Sequence, residues 1–204
     1  MAKLKLTYFD IDGGRAEPAR IAFSIGGIKF EDNRFGFDKF SAVKPTTPLG
    51  QVPTLTIDDR QITQCNAINR FAAKLAGLYP ASDVNSLVCD EVMDIVEECT
   101  HKLVATFGLE GEALQVARTK LAEGAFTNAL KLLNKRIVEQ GGLYICENRL
   151  TIADLKVFVW VHALNSGILD HIPTDLVDLV APQVHEHYQR VAESPGVIEY
   201  YAKR

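Results

Sequence analysis

The hydrophobic pattern changes near residue 78, and this change limits the folds that the chain can adopt. Before that point, segments with the two-residue alternation of strands are interleaved with segments of helical spacing; after it, only the helical period remains. Glycine and proline are concentrated in residues 76–82, as in a connection between domains. The sequence therefore predicts an α/β domain at residues 1–78, a linker at 79–83 and an all-helical domain at 84–204.

The order of elements in the first domain predicts a sheet with both parallel and hairpin connections. A period-two strand precedes a helix that starts at Glu17-Pro18 and stops at Gly26-Gly27, and a second strand follows. A β-α-β unit of this kind makes the two strands parallel. Two short segments then flank Asp58-Asp59, which is typical of a hairpin with a two-residue turn. The predicted strands are 3–9, 28–33, 54–57 and 60–63, with helices at 66–75, 84–107, 111–140, 151–166 and 182–193.

Composition and charge place the chain among ordinary globular proteins. Of its 204 residues, 47% are hydrophobic and 24% are charged, which excludes a disordered tail protein. The net charge of −4 is too mild to indicate a nucleic acid partner. The apolar stretch at 155–164 is much shorter than the roughly 20 residues that cross a bilayer, and no secretory signal is visible. We therefore expect a cytoplasmic protein without membrane association.

The cysteine and histidine residues do not form a metal-ligand pattern. No two cysteines form a CxxC pair, and His185 and His187 are two residues apart, which places them on different sides of a helix. We therefore expect no metal. Without a secretory context, the cysteines are expected to be reduced and mostly buried; they are Cys65, Cys89, Cys99 and Cys146.

Three places in the first domain carry groups that suit a ligand. Tyr8 lies near the C-terminal end of the first strand, where ligands bind in open α/β sheets and where a hydroxyl can donate to a developing anion. Val52-Pro53 stands at a strand entry: a cis bond would let a peptide-like ligand pair with Val52, and an ordinary trans proline is the alternative. Gln64-Cys65 begins a helix, whose free N–H groups bind carboxylates.

A helix start in the second domain is explicit. Thr151 suits the N-cap position, and Asp154 follows three residues later. This pattern predicts a capping box with aspartate in place of the usual glutamate or glutamine. We interpret it as a structural device that starts a buried helix.

The order of the motifs along the chain indicates a protein family more specifically than any single motif does. The chain carries Tyr-Phe-Asp at 8–10, Gly-Arg-Ala-Glu-Pro-Ala-Arg at 14–20, Gly-Gln-Val-Pro-Thr-Leu at 50–55, Gln-Cys-Asn-Ala-Ile at 64–68 and Thr-Ile-Ala-Asp at 151–154. Over essentially its whole length it resembles the cytosolic glutathione transferases, and residues 8–9 and 14–17 resemble their sigma class, which includes haematopoietic prostaglandin D synthase and the S-crystallins. The resemblance implies a thioredoxin-like α/β domain that binds glutathione and an all-α domain that supplies the electrophile pocket.

The resemblance also implies roles for individual residues. Tyr8 is the catalytic hydroxyl that hydrogen-bonds the glutathione sulfur and favours the thiolate, which is the nucleophile. Arg15 matches an arginine that steadies the sulfur, and a structural pairing with Glu17 or Asp10 is the alternative. The implied glutathione-binding residues are Tyr8, Phe40 near the glycine end, Lys44 at the glycine carboxylate, Gln51, Val52 and a cis Pro53 at the cysteinyl moiety, and Gln64 and Cys65 at the γ-glutamyl carboxylate.

Acidic residues on the first long helix carry a further implication. Glu98 aligns best with the acid that reaches the γ-glutamyl amine of glutathione bound to the partner subunit, so the resemblance implies a homodimer. Asp94 and Glu97 lie close to it in sequence. A solvated helix face is the alternative interpretation of the three acids.

The implied activity is conjugation of glutathione, the co-substrate, to small hydrophobic electrophiles. Phe9, Phe107 and Trp160 are the expected lining of the electrophile pocket. One alternative is a glutathione-dependent isomerase of the prostaglandin type, which would use the same Tyr8. Another is a non-catalytic protein, either crystallin-like or ligand-binding.

Three positions depart from the family pattern. Residues 11–15 are one residue longer than the usual segment and carry Asp12 where a base is common, so the loop over the sulfur is expected to be reshaped. Phe40 replaces a frequent tryptophan and should lower the affinity for glutathione modestly. Cys65 replaces a serine; a thiol is a weaker donor, and it allows the hypothesis of a mixed disulfide with glutathione under oxidation.

Overall fold

The computed structural model of the protein describes residues 2–203, and their contacts divide them into two units. The first unit contains residues 2–79 together with 195–203, and the second contains residues 80–194. Within the described residues, no helix is both long and apolar enough to span a membrane.

A four-stranded sheet forms the centre of the first unit. Its strands are β1 (Leu4–Phe9), β2 (Glu31–Phe35), β3 (Thr54–Ile57) and β4 (Arg60–Ile62). Their order across the sheet is β2-β1-β3-β4, with β1 and β2 parallel and the other neighbours antiparallel. The predicted parallel pair and the predicted hairpin around Asp58-Asp59 are therefore confirmed.

Ten α-helices lie in the described part of the chain. Three belong to the first 79 residues: α1 (Glu17–Ile25), α2 (Phe40–Val43) and α3 (Cys65–Ala76). The remainder are α4 (Asp83–Val104), α5 (Gly111–Leu121), α6 (Thr127–Glu139), α7 (Ile152–Asn165), α8 (Leu176–Val180), α9 (Pro182–Ala192) and α10 (Pro195–Ala202), with a π-helical turn at Ala122–Phe126 between α5 and α6.

The core of the first unit forms because α1 and α3 pack on each other and cover the sheet. Leu6 and Leu55 from the sheet and Ile21 and Ile68 from the helices are almost completely buried. This arrangement, a β-α-β unit followed by a hairpin and a helix, is the thioredoxin-like fold that the family resemblance implied.

Strand β2 begins three residues later than predicted because the end of α1 uses the residues in between. The Gly27 amide donates to the Ser24 carbonyl (3.1 Å) and the Ile28 amide donates to the Phe23 carbonyl (2.9 Å). With Gly27 in the left-handed region (φ 62°), these bonds form a Schellman motif. Ile28 therefore completes the helix end and does not start the strand.

Helix α7 forms the centre of the second unit. Residues 152–161 are all buried, which is typical of a helix that is surrounded by others. The charged Lys156 is accommodated there because its ammonium lies 2.7 Å from the Glu97 carboxylate of α4. The predicted capping box at its start is confirmed, since Thr151 and Asp154 exchange the two expected hydrogen bonds.

The last helix differs from the predicted domain division. Residues 84–204 were expected to form one helical domain, but α10 packs on α1 within the first unit. The Tyr200 hydroxyl donates to the Glu17 carboxylate at 3.0 Å, and a side chain at Gly196 would collide with Ile25. Neither α8 nor α10 was predicted, because both are short.

Candidate functional site

Tyr8 is the second-to-last residue of strand β1, and the loop that follows this strand folds back onto the Tyr8 hydroxyl. The side chain is only 5% exposed. The Arg15 amide donates to the Tyr8 oxygen at 3.1 Å. A phenol oxygen that accepts one hydrogen bond becomes a stronger donor through its own proton, because hydrogen bonds in a chain polarise one another. The structure thus places the polarised hydroxyl of a buried tyrosine at the end of a strand.

Gly14 lets the loop come this close. Its φ is +69°, and a Cβ there would lie 2.8 Å from the Tyr8 oxygen and 3.0 Å from the Tyr8 Cε1. Gly13 also has a positive φ, at +118°. The longer loop noted in the sequence is therefore the segment that approaches the hydroxyl, and it needs glycine to do so.

Arg15 contacts Tyr8 through its backbone, and its side chain is half-buried. The two acids that were considered as its structural partners are engaged by other arginines. Arg20 lies 3.2 Å from Glu17, and Arg34 lies 3.4 Å from Asp10. The predicted role of Arg15 at the sulfur remains a prediction.

Aromatic rings surround Phe9 on the neighbouring surface of the first unit. Its ring centroid lies 5.0 Å from that of Phe35, 4.6 Å from Phe37 and 5.2 Å from Phe40. Phe40 begins α2 and stacks against Phe35 as well. The structure thus brings Phe9, expected at the electrophile, and Phe40, expected at glutathione, into one aromatic cluster.

The Lys44 side chain packs against Gly50, in the segment that precedes β3. The alkyl chain of Lys44 passes over this glycine, where a Cβ would lie 3.1 Å from the Lys44 Cε. Within residues 2–203, no acidic side chain forms an ion pair with the Lys44 ammonium, which belongs to an exposed residue. Gln51 follows as an exposed residue, and the Val52–Pro53 bond is cis, as expected.

Helix α3 begins at the next predicted binding position. Gln64 precedes it with φ 73° and ψ 109°, a conformation that costs a non-glycine residue free energy and that is concentrated at functional sites. Cys65 is the first helical residue and is buried, with 6% of its surface exposed. Its Sγ lies 3.6 Å from the Asn66 Oδ1. Burial restricts the access that the hypothetical mixed disulfide at this thiol requires.

The three acids of α4 named in the sequence prediction, Asp94, Glu97 and Glu98, have different surroundings in the second unit. Glu97 is mostly buried and pairs with Lys156. Glu98 is exposed, and its ion pair with Lys102 lowers the pKa of its carboxyl. Asp94 is also exposed. Glu97 is therefore committed to the interior of its own unit, whereas Asp94 and Glu98 lie at the surface.

The two remaining predicted residues belong to the second unit and have opposite surroundings. Phe107 is 59% exposed beyond the end of α4. Trp160 is buried in α7, with its ring edge-on to Phe126 at 5.7 Å. Its indole N–H has no hydrogen-bond partner among residues 2–203.

A buried charge network that was not predicted from the sequence lies beside Tyr8. Glu17 and Arg20 in α1 are completely buried and paired, and Tyr200 of α10 also binds Glu17. The local signal was an acid and a base three residues apart on a helix whose other positions are apolar except for Ser24. The partner from the chain's end could not be seen in that pattern.

Comparison with known proteins identifies the family of the chain. Residues 4–74 match the family model of the glutathione S-transferase N-terminal domain, and residues 97–204 match a model of the glutathione S-transferase C-terminal domain. Glutathione S-transferase 3 of Caenorhabditis elegans is 32% identical over 209 residues, which cover 100% of this chain and 98% of the relative. The chain belongs to the glutathione S-transferase family. The prediction of a glutathione transferase enzyme is thereby confirmed.

Solved structures of this family give the same result for the fold. A prostaglandin synthase D of Nilaparvata lugens matches with a TM-score of 0.86 and 27% identity, covering 99% of this chain and 98% of the other. A glutathione S-transferase of the hookworm Necator americanus, described as monomeric, matches with a TM-score of 0.81 and 26% identity, covering 99% and 97%. The thioredoxin-like domain joined to an all-helical domain is thus the glutathione transferase fold.

Proposed function

We propose that this glutathione transferase uses Tyr8 to hold the thiol of glutathione as a thiolate and conjugates it to small hydrophobic electrophiles. The observation that supports this role is the hydroxyl of the buried Tyr8, which accepts a hydrogen bond from the Arg15 amide. In the reaction, the sulfur attacks an electrophilic carbon, the carbon–sulfur bond forms, and the bond to the leaving group breaks. The thiol proton passes to solvent.

The energy required is within the range of one hydroxyl and its surroundings. A free thiol has a pKa of about 8.5, and lowering it by about two units needs roughly 2.7 kcal/mol of preference for the anion. A hydrogen bond to a charged group contributes about 1.5–3 kcal/mol. Tyr8, with help from dipoles near the sulfur, is therefore sufficient for the proposed activation.

The remaining glutathione contacts follow from the chemistry of each position. The Lys44 ammonium suits the glycine carboxylate, because it lacks an acidic partner within residues 2–203. The N-terminus of α3, with Gln64 and Cys65, suits the γ-glutamyl carboxylate. Phe40, Gln51, Val52 and Pro53 complete the proposed contacts, while Phe9, Phe107 and Trp160 remain the predicted contacts of the electrophile.

The test is the initial rate of conjugation of glutathione to 1-chloro-2,4-dinitrobenzene by the natural protein and by Tyr8→Phe. We expect Tyr8→Phe to lose at least about tenfold in kcat/KM, the scale of one transition-state hydrogen bond. Tyr79→Phe is the matched control, because it also removes one tyrosine hydroxyl and keeps the ring that lies under the Lys74 ammonium. This variant should retain the natural rate. Equal rates for Tyr8→Phe and Tyr79→Phe would contradict the role of Tyr8.

A glutathione-dependent isomerase is the second candidate, favoured by the similarity to the prostaglandin synthase D of Nilaparvata lugens. Both candidates use the same thiolate and differ only in the electrophile. Conversion of a prostaglandin endoperoxide without net consumption of glutathione would identify the isomerase. A protein that binds glutathione but catalyses neither reaction would instead be a ligand-binding member of the family.

We further propose a homodimer in which Glu98 of the partner subunit binds the γ-glutamyl amine. Its exposed carboxylate supports this role. Light scattering should give twice the 22.5 kDa of one chain. Glu98→Gln should raise the KM for glutathione, with Asp94→Asn as the control.

We propose a reducing compartment such as the cytoplasm as the place of action. All four cysteines are free and buried, and free thiols are typical of proteins from reducing compartments. Fractionation of the source cells with detection of the protein tests this proposal.

A further inference from the structure

Arg20 is completely buried in the first unit and binds four acceptors around the end of β1. Its Nε donates to the Asp32 carboxylate at 3.0 Å, and its Nη1 donates to the Glu17 carboxylate at 3.2 Å. Two further bonds run to backbone carbonyls: from Nη1 to Ile11 at 3.3 Å and from Nη2 to Phe9 at 3.3 Å. Only the planar fork of a guanidinium can reach acceptors in these directions at once.

The two backbone acceptors belong to the segment that leaves Tyr8. Phe9 follows Tyr8 directly, and Ile11 lies in the loop that returns to the hydroxyl through Arg15. The guanidinium carbon of Arg20 also lies 5.8 Å from the centroid of the Tyr8 ring, within the range of a cation–π contact. Arg20 therefore contacts both the ring and the backbone that determine where the hydroxyl lies.

We propose that Arg20 is a positioning residue for Tyr8, which it holds in register with the loop that carries Arg15. The role rests on the proposed function of Tyr8. Arg20 does not touch glutathione; it acts through the Tyr8 ring and through the Phe9 carbonyl, neither of which Arg34 contacts. Its loss should therefore reduce kcat and leave the KM for glutathione nearly unchanged.

The network reaches the C-terminal helix. Glu17, which is completely buried, accepts from Arg20 with one carboxylate oxygen and from the Tyr200 hydroxyl with the other. A carboxylate with donors on both oxygens is fixed in orientation, and it fixes the guanidinium in turn. Tyr200 of α10 thus supports the position of Tyr8 through Glu17 and Arg20.

The first experiment compares Arg20→Lys with Arg34→Lys. Arg34 is the matched control because it also donates to Asp32 and to the Ile11 carbonyl, whereas the Tyr8 ring and the Phe9 carbonyl are held by Arg20. We expect hydrogen exchange of the Arg15 amide, which binds the Tyr8 oxygen, to accelerate about tenfold in Arg20→Lys, the scale of one net hydrogen bond. In Arg34→Lys it should change by less than about twofold.

The second readout is conjugation kinetics on the same proteins. Arg20→Lys should lose about tenfold in kcat with less than a twofold change in the KM for glutathione. Equal exchange at the Arg15 amide and equal kcat in the two variants would overturn the proposal and leave Arg20 as an ion pair of the core. If the natural protein shows no conjugation, the proposed function fails, while the exchange measurement still decides the position of Tyr8.

Tyr200→Phe keeps the proposal falsifiable if Arg20→Lys does not fold. This change removes the hydroxyl that donates to Glu17 and leaves the aromatic ring at position 200 in place. We expect a smaller acceleration, about threefold, in exchange of the Arg15 amide, with Tyr201→Phe as the control. No difference between these two variants would overturn the link from α10 to Tyr8.

Discussion

At Gly14 the backbone passes so close to the Tyr8 hydroxyl that there is no room for a methyl group. The Cβ of Gly14→Ala would lie 2.8 Å from that oxygen. Moving the tyrosine ring away would cost free energy, because the ring is buried. We predict that Gly14→Ala displaces the hydroxyl and lowers kcat/KM for conjugation by more than about tenfold. Initial rates with 1-chloro-2,4-dinitrobenzene measure the effect.

Gly27→Ala is the control for Gly14→Ala. It distinguishes displacement of the Tyr8 hydroxyl from the backbone strain of an alanine at a positive φ. Gly27 has a similar positive φ of +62°, but nothing lies within 4 Å of a Cβ there. It should lose about 1 kcal/mol of stability while keeping its rate. A Gly14→Ala protein as active as Gly27→Ala would contradict the close contact at Tyr8.

Lys44 provides a prediction about charge. Replacing its ammonium in Lys44→Gln should raise the KM for glutathione about tenfold without changing kcat, because the carboxylate is bound equally before and during the reaction. The exposed Lys39 of the preceding turn is the control, and Lys39→Gln should behave like the natural protein. Steady-state kinetics at low and high salt measure the effect, since screening reduces the contribution of an exposed charge. An unchanged KM in Lys44→Gln would remove Lys44 from the site.

At the scale of the elements, one side chain, Asp154, joins the start of α7 to two other segments of the second unit. The Asp154 carboxylate accepts from the Thr151 amide at 2.7 Å and the Ile145 amide at 3.0 Å, and it lies 2.8 Å from the His187 Nε2. We predict that Asp154→Asn, which places an NH₂ group against these donors, lowers the free energy of unfolding by about 3 kcal/mol. The midpoint of urea denaturation measures it.

The control is an aspartate at another helix start. Asp175 precedes α8, is exposed and makes no capping hydrogen bond. Asp175→Asn should leave the midpoint unchanged within about 0.5 kcal/mol. A similar small effect of Asp154→Asn would mean that the hydrogen bonds at the start of α7 contribute little to stability.

The elements could be predicted where the local chemistry decides them. The start of α7 was predicted because Thr151 and Asp154 stand at capping-box spacing, and the hairpin because Asp58-Asp59 separates two strand patterns. The start of β2 was misplaced because the tertiary structure allots Ile28 to the Schellman motif of α1. Short helices such as α8 offer too few turns for a period to be recognised.

At the scale of the whole molecule, contacts distant in sequence were beyond prediction from local patterns. Tyr200 and Glu17 are 183 residues apart, and no local pattern joins them. Tyr8 at a strand end and Gln64 at a helix start were identified from their positions, and Lys44 through the resemblance that the order of motifs carries. Arg20 was missed because a buried arginine resembles an ordinary helix charge in sequence. The sequence thus determines the elements more clearly than the packing of the chain's end.

We predict that the buried thiol of Cys99 makes the free energy of unfolding decrease at alkaline pH. Burial raises the pKa of Cys99 to about 11, while the same thiol in the unfolded chain ionises at its lower, ordinary pKa. Between roughly pH 9 and 11 the unfolded state therefore binds fewer protons than the native state, so the stability that this thiol contributes is complete below this range and falls as the pH rises. Urea midpoints measured across this range should fall less steeply in Cys99→Ala. An identical slope in both proteins would contradict the raised pKa.

The central claim, that Tyr8 holds the glutathione sulfur as a thiolate, is tested most directly by the ultraviolet absorbance of the thiolate in the complex with glutathione. Titration of this absorbance with pH should give the natural protein a bound thiol pKa about two units below that of free glutathione. In Tyr8→Phe with glutathione bound, it should return to within about half a unit of the free value. The same lowered pKa in both proteins, or no lowering in either, would contradict the account.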